Sequence, residues 1–408
     1  MCLKTKFFLI LVCFFLPLYL FRLVGKLRLP FREGDRIRII SQLTSEPITR
    51  GESQFFRIEG IEVTTFETQP LDYGERLEVS GTVAKRNTEA FLPQYYLLQP
   101  QIKKIGPVQA NLFKSLFQFR KKIEQVFLKT LPEPHNSLIS GIVLGIQQSL
   151  AEDFYANLKT SGTLHIIVAS GMNISLLAGS LKDFLARFLK RKPAIFVSEI
   201  VILIYFVIAG MTPPIARAAI MASILYLSQL LGRKTEGVWI LIISGVLMLI
   251  FNPLLLFDTG FQLSFTATLG LFTLSPFFQK KIKQIPFSRF LPQETGETLA
   301  AMVFTAPILL VTFGNFNPFS LIPNILILWL IPYLMYLGFI ICGLSFLSFF
   351  LAQILCYLSW LPLTYLILVI NIFGRFRFFE LNFANFSWFF ALGYYLLLFS
   401  LLANKRNV

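Results

Sequence analysis

Three short segments bring polar side chains together in an otherwise apolar part of the chain. Residues 163–175, TLHIIVASGMNIS, bring together His165, Ser170, Asn173 and Ser175. Residues 211–222, MTPPIARAAIMA, place Arg217 one turn after Pro213-Pro214. Residues 252–266, NPLLLFDTGFQLSFT, carry Asp258, Gln262 and Ser264. Polar groups inside a bilayer are expensive, so those that persist are site candidates. His165 and Ser170 have the types of a nucleophile and its base. Five positions apart, they point about 140° apart on a regular α-helix and meet only where it unwinds. Two other uses stay open for this segment: hydrogen bonds between helices, and the lining of a polar pathway. Arg217 must snorkel, pair with an acid or face water. At the outer end of a conduit its guanidinium would bind phosphate bidentately. Asp258 is a natural partner for Arg217 and a candidate N-cap for the helix that follows. Gln262 and Ser264 continue the polar face into that helix, and Glu199 is a fourth ionisable group in an apolar run.

Other chemistry is excluded by residue type. His135 and His165 are the only histidines, so no multi-histidine metal centre can form. Cys2, Cys13, Cys342 and Cys356 show neither metal nor disulfide spacing. No Walker A sequence occurs, which removes a P-loop ATPase. GxSxG is absent as well. No catalytic residue, metal or cofactor is assigned.

The positioning elements follow from composition. The 408 residues are 55% hydrophobic and 14% charged, against about 25% charged in a soluble chain. The fold class expected is a polytopic α-helical membrane protein with a small N-terminal β domain. Residues 1–25 read as an uncleaved membrane anchor: Lys4 and Lys6 precede an apolar run, and no small-x-small site follows. Residues 26–107 alternate in polarity, with strands expected at 35–42, 54–66, 75–85 and 95–105. Thr49-Arg50-Gly51, Asp72-Tyr73-Gly74 and Phe91-Leu92-Pro93 separate them. So many short strands in so short a stretch fit a small OB-like barrel, with a sandwich fragment as the alternative. Residues 108–136 hold an amphipathic linker helix at 109–131, its apolar stripe at Leu112, Leu116, Phe119, Ile123, Val126 and Phe127. Its lysines suggest a helix lying in the membrane interface.

From residue 137 to 408 the chain is almost continuously apolar. Spans are expected at 163–186, 194–210, 215–231, 237–251, 260–276, 297–313, 320–347, 350–372 and 384–402. The stretch 137–149 is shorter and reads as re-entrant or interfacial. With the anchor this gives about nine to eleven membrane helices. Arg187, Lys190, Arg191, Lys192, Arg233, Lys234, Lys280, Lys281, Lys283, Arg289, Lys405 and Arg406 fall on one set of loops. The alternate loops, at 212–214, around Asp258 and at 314–317, hold no Lys or Arg. The positive-inside rule puts the first set in the cytoplasm of a plasma-membrane protein, and residues 26–136 outside. Arg375 and Arg377 are the exception.

SGTLHIIVASGMNI, PPIARAAIM and NPLLLFDTGFQLSFTATLGL, in that order, resemble the competence domain of the ComEC family. LISGIVLGIQQSLAEDF before them is similar as well. The resemblance covers most of 26–408 and implies an inner-membrane channel for single-stranded DNA in natural transformation. It also implies an outward OB-like domain. The family often has His where this chain has Asn173. Many members end in a soluble β-lactamase-like domain, whose HxHxDH motif this sequence lacks. The expectation is therefore a short form without nuclease activity of its own. Partners expected are single-stranded DNA, the lipid bilayer, a cytosolic DNA-translocating motor, a separate nuclease and further copies of the chain. The motor or an ion gradient would supply energy. OB-folds bind strands with a basic groove and stacking aromatics. The candidates here are Arg36, Arg38, Arg57, Phe55, Phe56, Tyr95 and Tyr96, of which alternate ones must face the barrel core. The alternative function is an intramembrane enzyme or transporter acting on another anionic or lipid-linked substrate.

Overall fold

A computed structural model describes residues 15–25, 33–43, 47–50, 53–66, 71, 73–86, 94–106, 112–146, 150–167, 171–284, 294–375, 381–383 and 387–405. The chain divides into two compact units. The first comprises Met1–Ala151, Ile166–Asp258 and Leu334–Leu363, and the second Glu152–His165, Thr259–Tyr333 and Thr364–Val408.

The first unit opens with helix α1, Phe15–Gly25. The rest of the anchor expected at 1–25 lies outside the described residues. The Tyr19 hydroxyl donates to the Pro253 carbonyl at 3.3 Å, and the Arg22 guanidinium donates to the Ile250 carbonyl. Strands β1 (Arg36–Gln42), β2 (Ile48–Arg50), β3 (Ser53–Ile58), β4 (Ile61–Thr65), β5 (Arg76–Arg86) and β6 (Gln94–Gly106) form one sheet in the order β1-β5-β6-β4-β3-β2. The expected strand at 54–66 is two strands, because Glu59 and Gly60 take positive φ (47° and 85°) and close a tight hairpin. The β4–β6 pairing is parallel and the others are antiparallel. Alternation supplies the core: Phe56, Ile58, Ile61, Val63, Leu77, Val79, Val83 and Leu97 are buried together.

Helix α2, Leu112–Thr130, follows the sheet, close to its expected bounds. Its buried face keeps Ile123, Val126 and Phe127 of the expected stripe but not Leu112, Leu116 or Phe119. Phe117, Arg120, Ile123, Val126, Phe127 and Thr130 are buried, whereas Leu112 is 72% exposed. The reason is that α2 packs on three helices rather than on a membrane surface alone. These are α3 (His135–Leu144), α6 (Arg191–Ile208) and α14 (Phe349–Leu358). Helix α3 bears on a second expectation. Of the two uses expected for this stretch, re-entrant or interfacial, its burial from Asn136 to Leu144 disfavours the interfacial one and leaves the re-entrant one open. Helices α5 (Gly171–Leu185), α7 (Pro213–Leu230), α8 (Gly237–Phe251) and most of α13 (Ile331–Leu347) complete this unit. Pro213 and Pro214 open α7 as expected, where a missing N–H costs nothing. Asn252-Pro253 stops α8, and the Asn252 side chain accepts from the Leu254 N–H at 3.3 Å.

The second unit holds α4 (Glu152–Thr160), α9 (Thr259–Thr273), α10 (Ser275–Ile282), α11 (Glu294–Phe313), α12 (Leu321–Leu328), most of α15 (Trp360–Gly374) and α16 (Trp388–Lys405). Strands β7 (Asn315–Phe316) and β8 (Leu381–Asn382) pair antiparallel. Pro307 interrupts the α11 ladder and frees the Val303 carbonyl, four residues back. The Tyr394 hydroxyl donates to that carbonyl at 3.0 Å, and Tyr395 donates to the Phe304 carbonyl at 2.6 Å.

The expected count of spans is not reproduced. Among the described residues, α11 alone is long and apolar enough to cross a membrane. The number rises to four if each bent pair is one span: α9 with α10 (52°), the Pro318–Leu328 segment with α13 (49°), and α14 with α15 (45°). The apolar runs are broken by turns, so many helices are shorter than the roughly 20 residues a bilayer core requires. The expected span at 163–186 is such a case. A 3-10 turn, Leu164–Ile166, stands near its start, and α5 is described as Gly171–Leu185.

Tyr394→Phe should lower stability in detergent-solubilised protein by about 0.5–1.5 kcal/mol. In a Pro307→Ala background the cost should shrink, because the backbone N–H regained at position 307 takes over the Val303 carbonyl. A double-mutant cycle of unfolding free energies checks this; equal costs in both backgrounds would rule out the pairing as drawn.

Candidate functional site

The site candidates are divided between the units. Asn173, Arg217 and Asp258 lie in the first, and His165, Gln262 and Ser264 in the second. Ser170 lies outside the described residues.

In the first unit, Asn173 sits in the first turn of α5 and is 3% exposed. Its amide donates to the Ile142 carbonyl at 2.9 Å and to the Tyr205 hydroxyl at 3.3 Å. Tyr205, on α6, donates in turn to the Val143 carbonyl at 2.8 Å. Those carbonyls belong to the C-terminus of α3, where a helix leaves four acceptors unused. Gly145 and Ile146 N–H groups bond back to Gly141 and Ser140, so the end of α3 is closed by backbone and side chains together. Asn173 thus serves hydrogen bonding between helices, one of the two uses its segment left open. Tyr205 was not singled out from sequence. Its signal is a phenol within an apolar run, which needs a partner when buried.

Arg217 lies one turn into α7 and is 8% exposed. Its guanidinium rests against Gly171, the first residue of α5. A Cβ on Gly171 would come within 2.4 Å of Nη2. Nη1 also approaches the Met221 sulfur at 3.4 Å. The glycine of the SGMN segment therefore makes room for the arginine of the PPIAR segment. Asp258 differs in setting: it is exposed, and its extended backbone (φ −78°, ψ 125°) immediately precedes α9, the position of a helix N-cap. Glu199 accepts from the Ser223 hydroxyl on α7, which ties α6 to α7.

In the second unit, His165 falls in the 3-10 turn rather than on α5. Its Nδ1 lies 3.2 Å from the Gly162 carbonyl. The residue is exposed. The turn beneath it is fixed from below. Asn317 donates to the Thr160 carbonyl at 2.9 Å, and the Ser161 and Thr163 hydroxyls are 2.7 Å apart. Gly162 is needed there, because a Cβ would stand 2.4 Å from the Ser320 Cβ. Gln262 and Ser264 are half-buried on α9. Their backbone carbonyls accept from the Thr266 and Thr268 hydroxyls at 2.7 and 2.8 Å.

The sheet register sorts the strand-binding candidates. Arg57 faces Glu62, Glu62 faces Tyr96, and Tyr96 faces Ala84, so these share one surface. Arg36 opposite Thr82 and Arg38 opposite Ser80 lie on the same side. Phe55 is 37% exposed there. Two candidates are corrected: Tyr95 packs against the core cluster, and Phe56 is part of it. Arg38 pairs with Glu78, and Arg57 with Glu62 at 2.6 Å. Exposed pairs contribute about 0–1 kcal/mol, so neither holds its guanidinium firmly. Among the described residues no three of His, Cys, Asp and Glu come together as a metal site.

Asn173→Leu should destabilise the protein by about 1–3 kcal/mol, because it strands a buried carbonyl. Tyr205→Phe should cost a similar amount, and the two losses should be coupled. Unfolding of purified variants in detergent measures this. Strict additivity would show that the two groups do not act on α3 as one cap.

Comparison with known proteins follows the same segments. A family described as "Competence protein" matches residues 142–407. The ComE operon protein 3 of Bacillus subtilis is 25% identical over 314 residues, 73% of this chain and 39% of that protein. An uncharacterised protein of Escherichia coli, YcaI, is 24% identical over 64% of this chain and 36% of its own length. An uncharacterised Aquifex aeolicus protein is 24% identical over 55% of this chain and 52% of its own. The chain thus spans between about a third and a half of these relatives. No solved structure matches. The match over 142–407 contains all three polar segments and the helices that hold them, and the chain belongs to the competence protein family.

Proposed function

We propose that the chain forms an inner-membrane channel for single-stranded DNA during natural transformation. The observation that carries this is the family match over 142–407, with a competence-operon protein among its relatives. The chain then crosses the plasma membrane several times, with its β domain outside. The β-domain connectivity supports an OB-like reading. Its sheet order β1-β5-β6-β4-β3-β2, with a parallel β4–β6 pair, would close into a Greek-key barrel by joining β1 to the far edge.

On this reading the strand is met outside by Arg36, Arg38, Arg57, Tyr96 and Phe55. Cationic side chains track phosphates and the rings stack on bases. In the first unit Arg217 supplies a buried guanidinium for the backbone, with Asp258 as a further path candidate. In the second unit the path candidates are His165, Gln262 and Ser264. Transport energy comes from a cytosolic motor or an ion gradient, and a separate nuclease handles the second strand.

The test is uptake of labelled single- and double-stranded DNA by native cells with and without the gene, scored as nuclease-protected label in the cytosol. Deletion should abolish cytosolic label and leave surface binding unchanged. Arg217→Ala should do the same while membrane abundance stays at the wild-type level. Normal uptake by that variant would remove Arg217 from the path. Normal uptake by the deletion, in cells that do take up DNA, would overturn the channel and favour a small anionic substrate.

A further inference from the structure

Arg120 is the least expected buried residue of the first unit. It is a cation on α2, yet it is 5% exposed. Burying an arginine is costly unless its surroundings compensate and use it. Two neighbours in those surroundings bear on the turn between α6 and α7. Its guanidinium carbon lies 5.9 Å above the Phe117 ring, within cation–π range. On its other side, its Nη1 and Nη2 stand 3.7 and 3.9 Å from the position a Cβ would take on Gly210.

Gly210 begins the turn between α6 and α7. Gly210 has φ +90° and Met211 has φ +54°. The first conformation suits glycine alone; the second is uncommon and strained for methionine. A turn with two consecutive left-handed residues persists only where its surroundings over-determine it. The turn's own hydrogen bonds, Gly210 N–H to Val207 O at 3.1 Å and Met211 N–H to Phe206 O at 3.1 Å, hold it to α6. Thr212 follows, and its side chain does not cap α7. The Thr212 hydroxyl is buried without a hydrogen-bond partner. The start of α7 is therefore not locked by its own cap. The guanidinium of Arg120 is the neighbouring group that fills the space on the Gly210 side.

Phe117 is itself held from the β domain. The Tyr73 ring stacks on it with centroids 4.3 Å apart, and Phe113 adds a second ring contact to Tyr73 at 6.4 Å. A series of neighbours thus runs from Tyr73 through Phe117 and Arg120 to the space beside Gly210. Seven residues after Gly210 comes Arg217, whose guanidinium fits against Gly171 with no space to spare. A shift of the turn moves the first turn of α7 and with it that fit.

We infer that Arg120 is a positioning residue: braced by Phe117 and Tyr73, it holds the left-handed Gly210-Met211 turn and so sets Arg217 against Gly171. The role of Arg217 in DNA transport rests on the function proposed above, whereas the positioning of the turn does not. Both are separable by experiment.

The test uses the full chain in native membranes, with the native cysteines replaced and a single reporter, Met211→Cys. A second chain carries its reporter at Glu59, in the β domain. Labelling rates with a membrane-impermeant maleimide are measured together with membrane abundance and DNA uptake. Arg120→Met should change labelling at position 211 at least threefold and leave labelling at position 59 unchanged. Arg120→Lys, which keeps a cation over the ring, should restore most of the wild-type rate. Tyr73→Leu, at the far end of the series, should give a smaller change of the same sign, and it decides the matter if Arg120→Met does not accumulate. Unchanged labelling at 211 in Arg120→Met, or in Tyr73→Leu where that variant decides, overturns the positioning role. Altered labelling with normal uptake upholds it and removes Arg217 from the transport path.

Discussion

A carbonyl freed inside an apolar structure has to be met by a donor, and much of this fold is arranged around that requirement. Where no water reaches, an unpaired backbone group costs several kcal/mol. Short and interrupted helices multiply such groups. The C-terminus of α3 is buried on every side, so Asn173 and Tyr205 reach in from α5 and α6 to take Ile142 and Val143. Pro307 opens the α11 ladder, and Tyr394 arrives from α16. Tyr226 on α7 donates to the Ala178 carbonyl of α5 at 2.6 Å. In each case one polar side chain fixes the separation and rotation of two helices, because its reach allows little slack. The tyrosines also bury their rings, so a single residue supplies packing and closure together.

That use of polar residues changes what their presence means for function. A polar group in an apolar helix is a site candidate by default. Asn173 has a structural use as well, since its amide helps to close α3. Arg217 is a buried cation whose guanidinium lies against Gly171 and near the Met221 sulfur. His165 is exposed, with Nδ1 near the carbonyl of its own turn.

The parts legible in the sequence were those set by local rules. Alternation located the strands, because a sheet face buried on one side imposes a period of two. Pro213-Pro214 located the start of α7 for an equally local reason. The parts that were not legible depend on partners distant in the chain. The buried face of α2 departs from the expected stripe at Leu112, which is exposed, and at Phe117 and Arg120, which are buried, in a helix that packs on α3, α6 and α14. Arg120 on the buried face cannot be inferred from periodicity, which assigns arginine to solvent. Likewise the length of α3 left re-entrant and interfacial readings open, and only the structure shows Asn136 to Leu144 all buried. Tyr95 and Tyr96 were indistinguishable until register fixed which one faces the core.

The same requirement explains how interrupted helices remain compatible with hydrocarbon. A break is excluded from lipid only if it leaves backbone groups unpaired. At the bend between α12 and α13, the Leu330 N–H turns to Ile327 at 2.9 Å and so releases the Leu326 carbonyl. That carbonyl then accepts from the Trp329 indole at 2.7 Å and the Tyr365 hydroxyl at 3.1 Å. At the bend between α14 and α15, the Ser359 hydroxyl and N–H both return to the Cys356 carbonyl, at 2.6 and 3.0 Å. The bends are therefore paired structures, with their donors supplied by Ser, Trp and Tyr placed within a few residues or on the next helix. A chain built this way can change direction inside an apolar medium without exposing backbone. A paired break of this kind meets the backbone condition that a bent pair must satisfy to be a single span.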